Sequence, residues 1–427
     1  MLAGDFGHPA QSMTPTILIL IGGLAILLVG VGLLGTLLGV RAALAAFSNI
    51  ETGLIMAGYY AGYIVGTSLS PQLIRNVGHI RAFTAFAAMG AASSLAFGLL
   101  VQPWAWLFLR ILSGACVVGL YMVVESWLNA QSTGHARGRI FSIYMTTTLL
   151  ALGAGQFLLL VDDALNLTLF ALAAMLFSLG MVPIAVNRVT EPRIELAVPV
   201  RLVQLLRISP LGAVGVLSAG VVNGIFWGMA PVFGQRLALG EGQIAMLMGA
   251  TIFGGAMLQW PIGHISDRID RRSTLIMVSF ATATTAGIAA WIVIHGYPGL
   301  ALSAFVYGGL MFSLYAISVA HTNDHLEEDQ VLEATRGLLL VYGIGALCGP
   351  LAGGIVMDVA GPVGLPVLSS VTAAALGLFG LYRVTRRPPP PRDHQTGFVT
   401  MVRTSPVALE MYPVADPEAE HEPPPQG

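Results

Sequence analysis

The sequence contains no lysine: all 20 of its basic residues are arginine. A phosphate-cradling loop of the Walker type needs its lysine, so ATP hydrolysis by that device is excluded. Schiff-base chemistry with pyridoxal phosphate or retinal needs a lysine amine and is excluded with it. Uphill work by this protein must therefore draw on another gradient. Charge of either sign is scarce, at 10% of 427 residues against about 25% in a soluble domain. The net charge of −2 offers no basic face to a nucleic acid. The two cysteines, Cys116 and Cys348, lie inside apolar runs and read as small buried hydrophobes rather than a disulfide or metal pair. No group of His, Cys and carboxylates has metal-ligand spacing, so no metal or other cofactor is expected. No nucleophile–base pair points to an enzyme, and the run His321-Thr-Asn-Asp324-His325 reads as a polar helix end.

What the sequence has in abundance is apolar length. Hydrophobic residues make up 55% of the chain, more than a soluble protein of this size can hide from water. Stretches long enough for a ~30 Å hydrocarbon core recur from Thr16 to Tyr382. The predicted spans are 16–40, 51–72, 82–101, 104–128, 140–161 and 165–187, then 210–235, 243–264, 273–294, 298–320, 337–358 and 363–383. Helices are required, because in lipid a segment must satisfy its own backbone unless it closes a barrel, and these runs are too long and unalternating for barrel strands. The expectation is an all-α membrane protein of twelve transmembrane helices.

An even number of spans places both termini on one side. Most arginines, from Arg75 and Arg81 to Arg386 and Arg387, fall on that side, whereas only Arg41 and Arg236 fall on the other. The positive-inside rule then makes both termini cytoplasmic. The first apolar run has no basic residue before it and is too long for a signal-peptide core, so it is expected to be retained. The connection 188–209 is the longest between spans and divides them into bundles over 16–187 and 210–384, after a short cytoplasmic segment 1–15. Pro71 and Arg81 match Pro261 and Arg271 at a common offset of 190, and Arg41 and Arg236 close the first and seventh spans. Two such repeats with a site between them are a recurring design of secondary transporters. Residues 385–427 are rich in proline, include the run Pro388–Pro391, and are expected to form a disordered cytoplasmic tail. Within it the less polar stretch 398–412 is a candidate for docking onto the membrane domain.

Several motifs carry mechanism. Between the eighth and ninth spans the chain reads Gly263-His-Ile-Ser-Asp267-Arg268-Ile-Asp270-Arg271-Arg272, an acid and three guanidiniums beside helix ends. Such charges bind helix termini and carboxylates, and so can hold one conformation and release it in another. The corresponding connection in the first half has Arg75 and Arg81 but no acid. Arg110 lies inside the fourth span, where a bare cation costs several kcal/mol and is functional by default. Glu125 lies on nearly the same helical face, about 22 Å further on, too far to pair with Arg110. An ion pair between Glu125 and Arg75, Arg81 or Arg139 at a cytoplasmic gate is expected instead. In the eleventh span Gly345, Gly349, Pro350 and Gly353, like Gly114 in the fourth, are small or kinking residues that let helix backbones approach closely.

The run Gly263–Arg272 resembles the signature loop of the major facilitator superfamily, Gly-x-x-x-Asp-Arg-x-Gly-Arg-Arg, with Asp270 in place of the second glycine. Arg110-Ile-Leu-Ser-Gly114 is similar to the Arg-x-x-x-Gly element of that family's fourth helix. The phrases Val77-Gly-His-Ile-Arg81-Ala-Phe, Val124-Glu-Ser-Trp-Leu-Asn129 and Ala320-His-Thr-Asn-Asp324 resemble the family's bacterial YcaD-like branch. The resemblance covers roughly residues 14 to 385 and implies two pseudo-symmetric six-helix bundles. It also implies a bacterial inner-membrane location and a central cavity lined by the first, fourth, seventh and tenth helices. Those helices supply Arg110, Tyr121, Asn223, Trp227, Tyr307 and Tyr315, with Tyr59, Tyr63, Gln259 and Tyr342 on their neighbours.

One cation among aromatics suits a small anionic or amphiphilic organic solute. The expected function is secondary transport by alternating access, either proton-coupled or as a proton-independent facilitator, in a protein working as a monomer among membrane lipids. A non-transporting receptor or scaffold with the tail as its binding module is the alternative from another class.

Overall fold

In the computed structural model the described residues are 15–132, 136–186, 207–296, 298–326, 328–386 and 405–408, with Pro192 and Leu205 besides. The first fourteen residues, nearly all of the connection 188–206 and the rest of the tail lie outside that set, and so do the expectations made for them. The described chain is helical throughout, without a β-strand. In order the helices are α1 (Pro15–Leu44), α2 (Asn49–Val77), α3 (His79–Leu99), α4 (Pro103–Gln131), α5 (Ala136–Phe157) and α6 (Thr168–Val186), with a 3₁₀ turn at Leu158–Val161. There follow α7 (Pro210–Arg236), α8 (Glu241–Arg268), α9 (Arg271–His295), α10 (Leu300–Asn323), α11 (Glu328–Ala360) and α12 (Gly364–Val384).

Among the described residues eleven helices are long and apolar enough to cross a membrane, and this is a multi-pass membrane protein. The exception is α2, which carries Asn49, Glu51, three tyrosines and Arg75. It lies between α4 and α11 in the bundle, where protein covers the three tyrosines while Glu51 and Arg75, at its two ends, stay exposed. Helices run past the predicted apolar spans, as α4 and α11 do at both ends, because backbone hydrogen bonding continues after the side chains turn polar.

Local chemistry sets the helix ends. The Ser48 hydroxyl accepts from the Glu51 N–H at 3.1 Å while the Glu51 carboxylate accepts from the Ser48 N–H at 2.9 Å, a reciprocal cap that starts α2. The single residue between α2 and α3, Gly78, has φ 89°, a turn that a side chain would strain. At the equivalent corner Asp270 caps α9, accepting from the Arg272 N–H and the Ser273 hydroxyl.

Two six-helix bundles result. In the first, α1 packs on α5 and α6, α2 on α4, and α3 on α4 and α6. In the second, α7 packs on α11 and α10, α8 on α10, and α9 on α12 and α10. Lipid tails are as apolar as leucine, so close backbone approach and buried hydrogen bonds must hold such a bundle together. A glycine clasp does so twice. A Cβ on Gly62 would collide with the Ile111 carbonyl and one on Gly114 with the Tyr59 carbonyl, fixing α2 against α4. In the second bundle Gly254 faces the Phe305 carbonyl and Gly308 the Thr251 carbonyl, fixing α8 against α10. Amide side chains add to this: Gln156 of α5 bonds Thr36 and the Gly32 carbonyl of α1, and Gln259 of α8 donates to the Phe312 carbonyl of α10 at 3.0 Å.

The clasp corrects the repeat register. Gly62 and Gly254 are 192 residues apart, as are the starts of α2 and α8, at Asn49 and Glu241. The offset of 190 read from Pro71/Pro261 and Arg81/Arg271 is therefore two residues out. In the structural register Arg271 corresponds to His79, the first residue of α3, and Asp267 to Arg75.

Candidate functional site

The bundles meet along three helix pairs, α2 with α11, α5 with α8, and α1 with α7. On the side away from the chain termini this contact is locked by polar groups. Asn49 donates to Asp358 at 2.7 Å, and Arg236 donates to the Asn49 side chain at 3.1 Å and to the Phe47 carbonyl at 2.8 Å. Nearby, Glu241 accepts from the Ala164 N–H at 3.0 Å. Backbone proximity reinforces the lock: Gly53 and Gly354 bring α2 and α11 together at Pro350 and Asn49, and Gly39 of α1 lies against Pro231 of α7. The sequence reading used Arg236 for orientation and as a repeat marker, and passed over Asn49, Glu241 and Asp358. Each sits at a helix end, where polar residues are ordinary, and nothing local betrays a partner more than 70 residues away.

Just inside that lock lies Arg110. It is 7% exposed, with Nη2 2.9 Å from the Met56 sulfur and its guanidinium 5.0 Å from the centre of the Tyr59 ring. Tyr59, Tyr60, Trp227 and residues of α1 complete a small chamber between the bundles, holding about 40 Å³. That is room for about three waters, so in this conformation the chamber is too small for an organic solute. The structure thus brings together Arg110, Tyr59 and Trp227, with the Tyr63 ring tilted against that of Tyr59 at 6.3 Å between centres. Tyr315 and Tyr342 pair with each other at 4.9 Å in the second bundle. Asn223 donates to its own helix at Ala219, and Tyr121 is buried on α4. Tyr315, Tyr342, Asn223 and Tyr121 do not line the chamber, and two further expected members have other places. Tyr307 lines a separate apolar cavity of about 70 Å³ within the second bundle, beside Thr251 and Ser369, and Gln259 is used in binding α8 to α10.

On the side of the termini, the loop Gly263–Arg272 forms a network within the second bundle. Arg271, 1% exposed, bonds Asp267 at 3.1 Å and Asp324 at 2.6 Å, and also donates to the Ala320 carbonyl. Arg272 lies 3.7 Å from Asp270, Arg268 is exposed, and Gly263 is buried on α8. Asp324, at the end of α10, is the member that sequence reading missed as a site residue, although it lies in a phrase already singled out. His321 stands one turn before it, its ring 4.8 Å from that of His325.

In the first bundle the register explains the missing counterpart. The place of Asp267 is taken by Arg75, and the place of Arg271 by His79, which packs against Trp127. The expected gate ion pair is not formed: Arg75, Arg81 and Arg139 are exposed, whereas Glu125 is fully buried. Its carboxylate accepts instead from the Tyr144 hydroxyl at 2.5 Å and from Ser405 of the tail. An arginine on a surface turn gains little by leaving water to reach a carboxylate already served by hydroxyls. The residues expected to pack helices closely do lie at crossings. Gly345 and Gly349 of α11 face backbone atoms of α7, Gly353 faces Met229 and Leu365, and Pro350 meets Gly228.

Comparison with known proteins places this architecture. The family model of the Major Facilitator Superfamily matches residues 212–414. The chain is 26% identical over 339 residues to an uncharacterized MFS-type transporter, YcaD, of Escherichia fergusonii, covering 79% of this chain and 87% of that protein. To the YcaD of Salmonella arizonae it is 27% identical over 344 residues, covering 80% and 88%. The crystal structure of the nucleoside transporter NupG superposes with a TM-score of 0.70 over 88% of this chain and all of that one, at 12% identity, which is a likeness of fold alone.

Proposed function

We propose that this chain, matched over residues 212–414 by the Major Facilitator Superfamily model and similar over most of its length to MFS-type transporters, is a member of that superfamily and a secondary transporter of a small anionic or amphiphilic organic solute, moved by alternating access about Arg110. The observation that carries this reading is the small chamber between the bundles, with one guanidinium over one aromatic ring and a tryptophan on the facing wall. A cation so placed offers an anionic group an electrostatic anchor of low local dielectric, and the rings take up an apolar body. Bundles joined mainly by three helix pairs can part on one side and close on the other.

In this reading the lock at Asn49, Arg236 and Asp358 is the outer gate, and the side of the termini is cytoplasmic, in a bacterial inner membrane. The network Asp267–Arg271–Asp324 stiffens the cytoplasmic end of the second bundle, so that its charges act as one body when the bundles rock. The cargo gradient alone, or a proton gradient, drives the cycle.

The test uses purified protein in liposomes with an imposed pH gradient and a trapped pH dye, challenged in turn with fractionated pools of organic anions. A protein-dependent uptake that is lost in Arg110→Met supports the reading, and collapse of the gradient with the same pool assigns proton coupling. Uptake that is unchanged in Arg110→Met moves the site elsewhere.

A further inference from the structure

The glycine contacts fix how the two halves correspond. Gly32 of α1 meets the Leu152 carbonyl, and Gly224 of α7 meets the Ala346 carbonyl in the same way. Gly155 meets the Val29 carbonyl as Gly349 meets that of Val221. With the two clasps, these place α7 and α8 192 residues after α1 and α2, and α10 and α11 194 after α4 and α5. In that register Tyr59 and Arg110 correspond to Thr251 and Ala304. Both of these line the cavity that holds Tyr307, so the second bundle is hollow where the first carries its cation and ring.

The neighbouring positions show where the bulk is lost. Trp106 of α4 is fully buried, with its ring 5.7 Å from that of Phe97, and donates to the Phe97 carbonyl at 3.0 Å. Its counterpart is Leu300, and with α3 and α9 aligned at their first residues the counterpart of Phe97 is Ala289. Ser303 stands for Leu109. All three smaller residues line the cavity, and Tyr307, in place of Ser113, fills only part of what they leave. Thr251 donates to the Leu247 carbonyl at 2.9 Å and Ser303 to that of Thr285 at 3.3 Å, and no charged residue lines the described walls. A cavity so lined stays free of water and takes an apolar ligand. Its volume of about 70 Å³ is room for about five waters, which in the liquid occupy about 150 Å³, the size of a cavity that holds benzene. Phe226, Phe233 and Tyr307 supply rings for edge or offset contact with another ring.

We propose that this cavity, in the half of the second bundle away from the chain termini, is a binding site for one small uncharged aromatic molecule. Leu300 and Leu365, at the starts of α10 and α12, place it on that side. It is separate from the Arg110 chamber: Phe226 faces the cavity and Trp227 the chamber, with the two rings 5.1 Å apart. The site does not depend on the transport reading.

The test uses the full-length protein in phosphatidylcholine nanodiscs, with fluorobenzene as the probe and its fluorine resonance as the readout. The parent should broaden that resonance beyond empty nanodiscs; benzene should reverse the broadening and benzoate should not. Ser303→Leu, which copies the first bundle, and Ala289→Leu should each abolish it while melting no lower than the parent. Broadening no greater than in empty nanodiscs overturns the site, and so does equal broadening by the parent and both folded variants. Reversal by hexane as readily as by benzene overturns the aromatic ligand and gives the cavity to the end of a lipid chain. Where both variants melt lower, Ala304→Cys, a change of one heavy atom, decides in a background of Cys116→Ala and Cys348→Ala. Methyl methanethiosulfonate should modify it, and saturating benzene should slow that reaction at least about fivefold. No reaction, or one that benzene leaves unchanged, overturns the proposal.

Discussion

Asp324 and Arg271 meet at 2.6 Å with both side chains 1% exposed, and they come from helix ends 53 residues apart. A guanidinium that deep is tolerable only because an acid answers it. Asp267, the acid that the motif advertises, is 35% exposed and contributes from the rim at 3.1 Å. The two carboxylates therefore differ in what their loss should do.

Asp324→Asn should lower stability by about 3–5 kcal/mol, the cost of leaving a buried charge without its partner. Asp267→Asn should cost no more than about 1 kcal/mol, as a part-exposed pair does. Unfolding of the purified protein in detergent, followed by tryptophan fluorescence, gives both numbers, and equal losses would contradict the ranking.

Asn49→Asp should open the lock on the far side, because it sets a second carboxylate against Asp358 where a 2.7 Å hydrogen bond now stands. A cysteine pair at Leu160, in the 3₁₀ turn after α5, and Gly242, at the start of α8, which lie side by side, measures it. Disulfide formation should be quick in the parent and at least about tenfold slower with Asn49→Asp. Adding Asp358→Asn, which restores a donor, should recover the parent rate.

Gly62→Ala and Gly254→Ala should each destabilise by about 1–3 kcal/mol, since the new methyl meets a backbone carbonyl that cannot turn aside. Gly22→Ala, with nothing within 4 Å of the new atom, should be neutral within about 0.5 kcal/mol. Thermal unfolding ranks the three, and a neutral Gly254→Ala would mean that α8 and α10 are held by something else.

Arg110→Met should raise the melting temperature in the absence of solute, because replacing a buried charge with an apolar side chain of similar length removes its desolvation cost. It should also remove any stabilisation by organic anions that the parent shows. A lower melting temperature would indicate that the guanidinium holds the fold rather than the cargo.

Much of this was readable from the residues alone. Twelve apolar runs and a six-and-six division follow from hydropathy, which needs no partner to be seen. Asp267 and Arg271 are four residues apart and could be read as a unit. Asp324 could not, because its meaning depends on α9 and α10 standing side by side. Glu125 shows the converse: its place near the end of α4 follows from the sequence, but exposed arginines were nearer in sequence than a serine 280 residues away. The repeat register slipped by two because proline and arginine recur for local reasons, whereas the glycines that face a carbonyl mark an equivalence of geometry. Tyr307 was grouped with Arg110 because both sit on cavity-lining helices, and only the rotation of α10 turns Tyr307 towards Ser369 instead.

The glycine clasp between α2 and α4 has a consequence for recognition. Tyr59 supplies one of its carbonyls and Arg110 lies one turn before Gly114, so ring and guanidinium belong to a single rigid jaw. Trp227 and Gly228, across the chamber, belong to the other bundle. A solute at Arg110 would be held by a surface already formed and met by one that arrives, and the arriving surface carries an indole. The cargo, on reaching its seat, would announce itself as a change in the emission of one tryptophan.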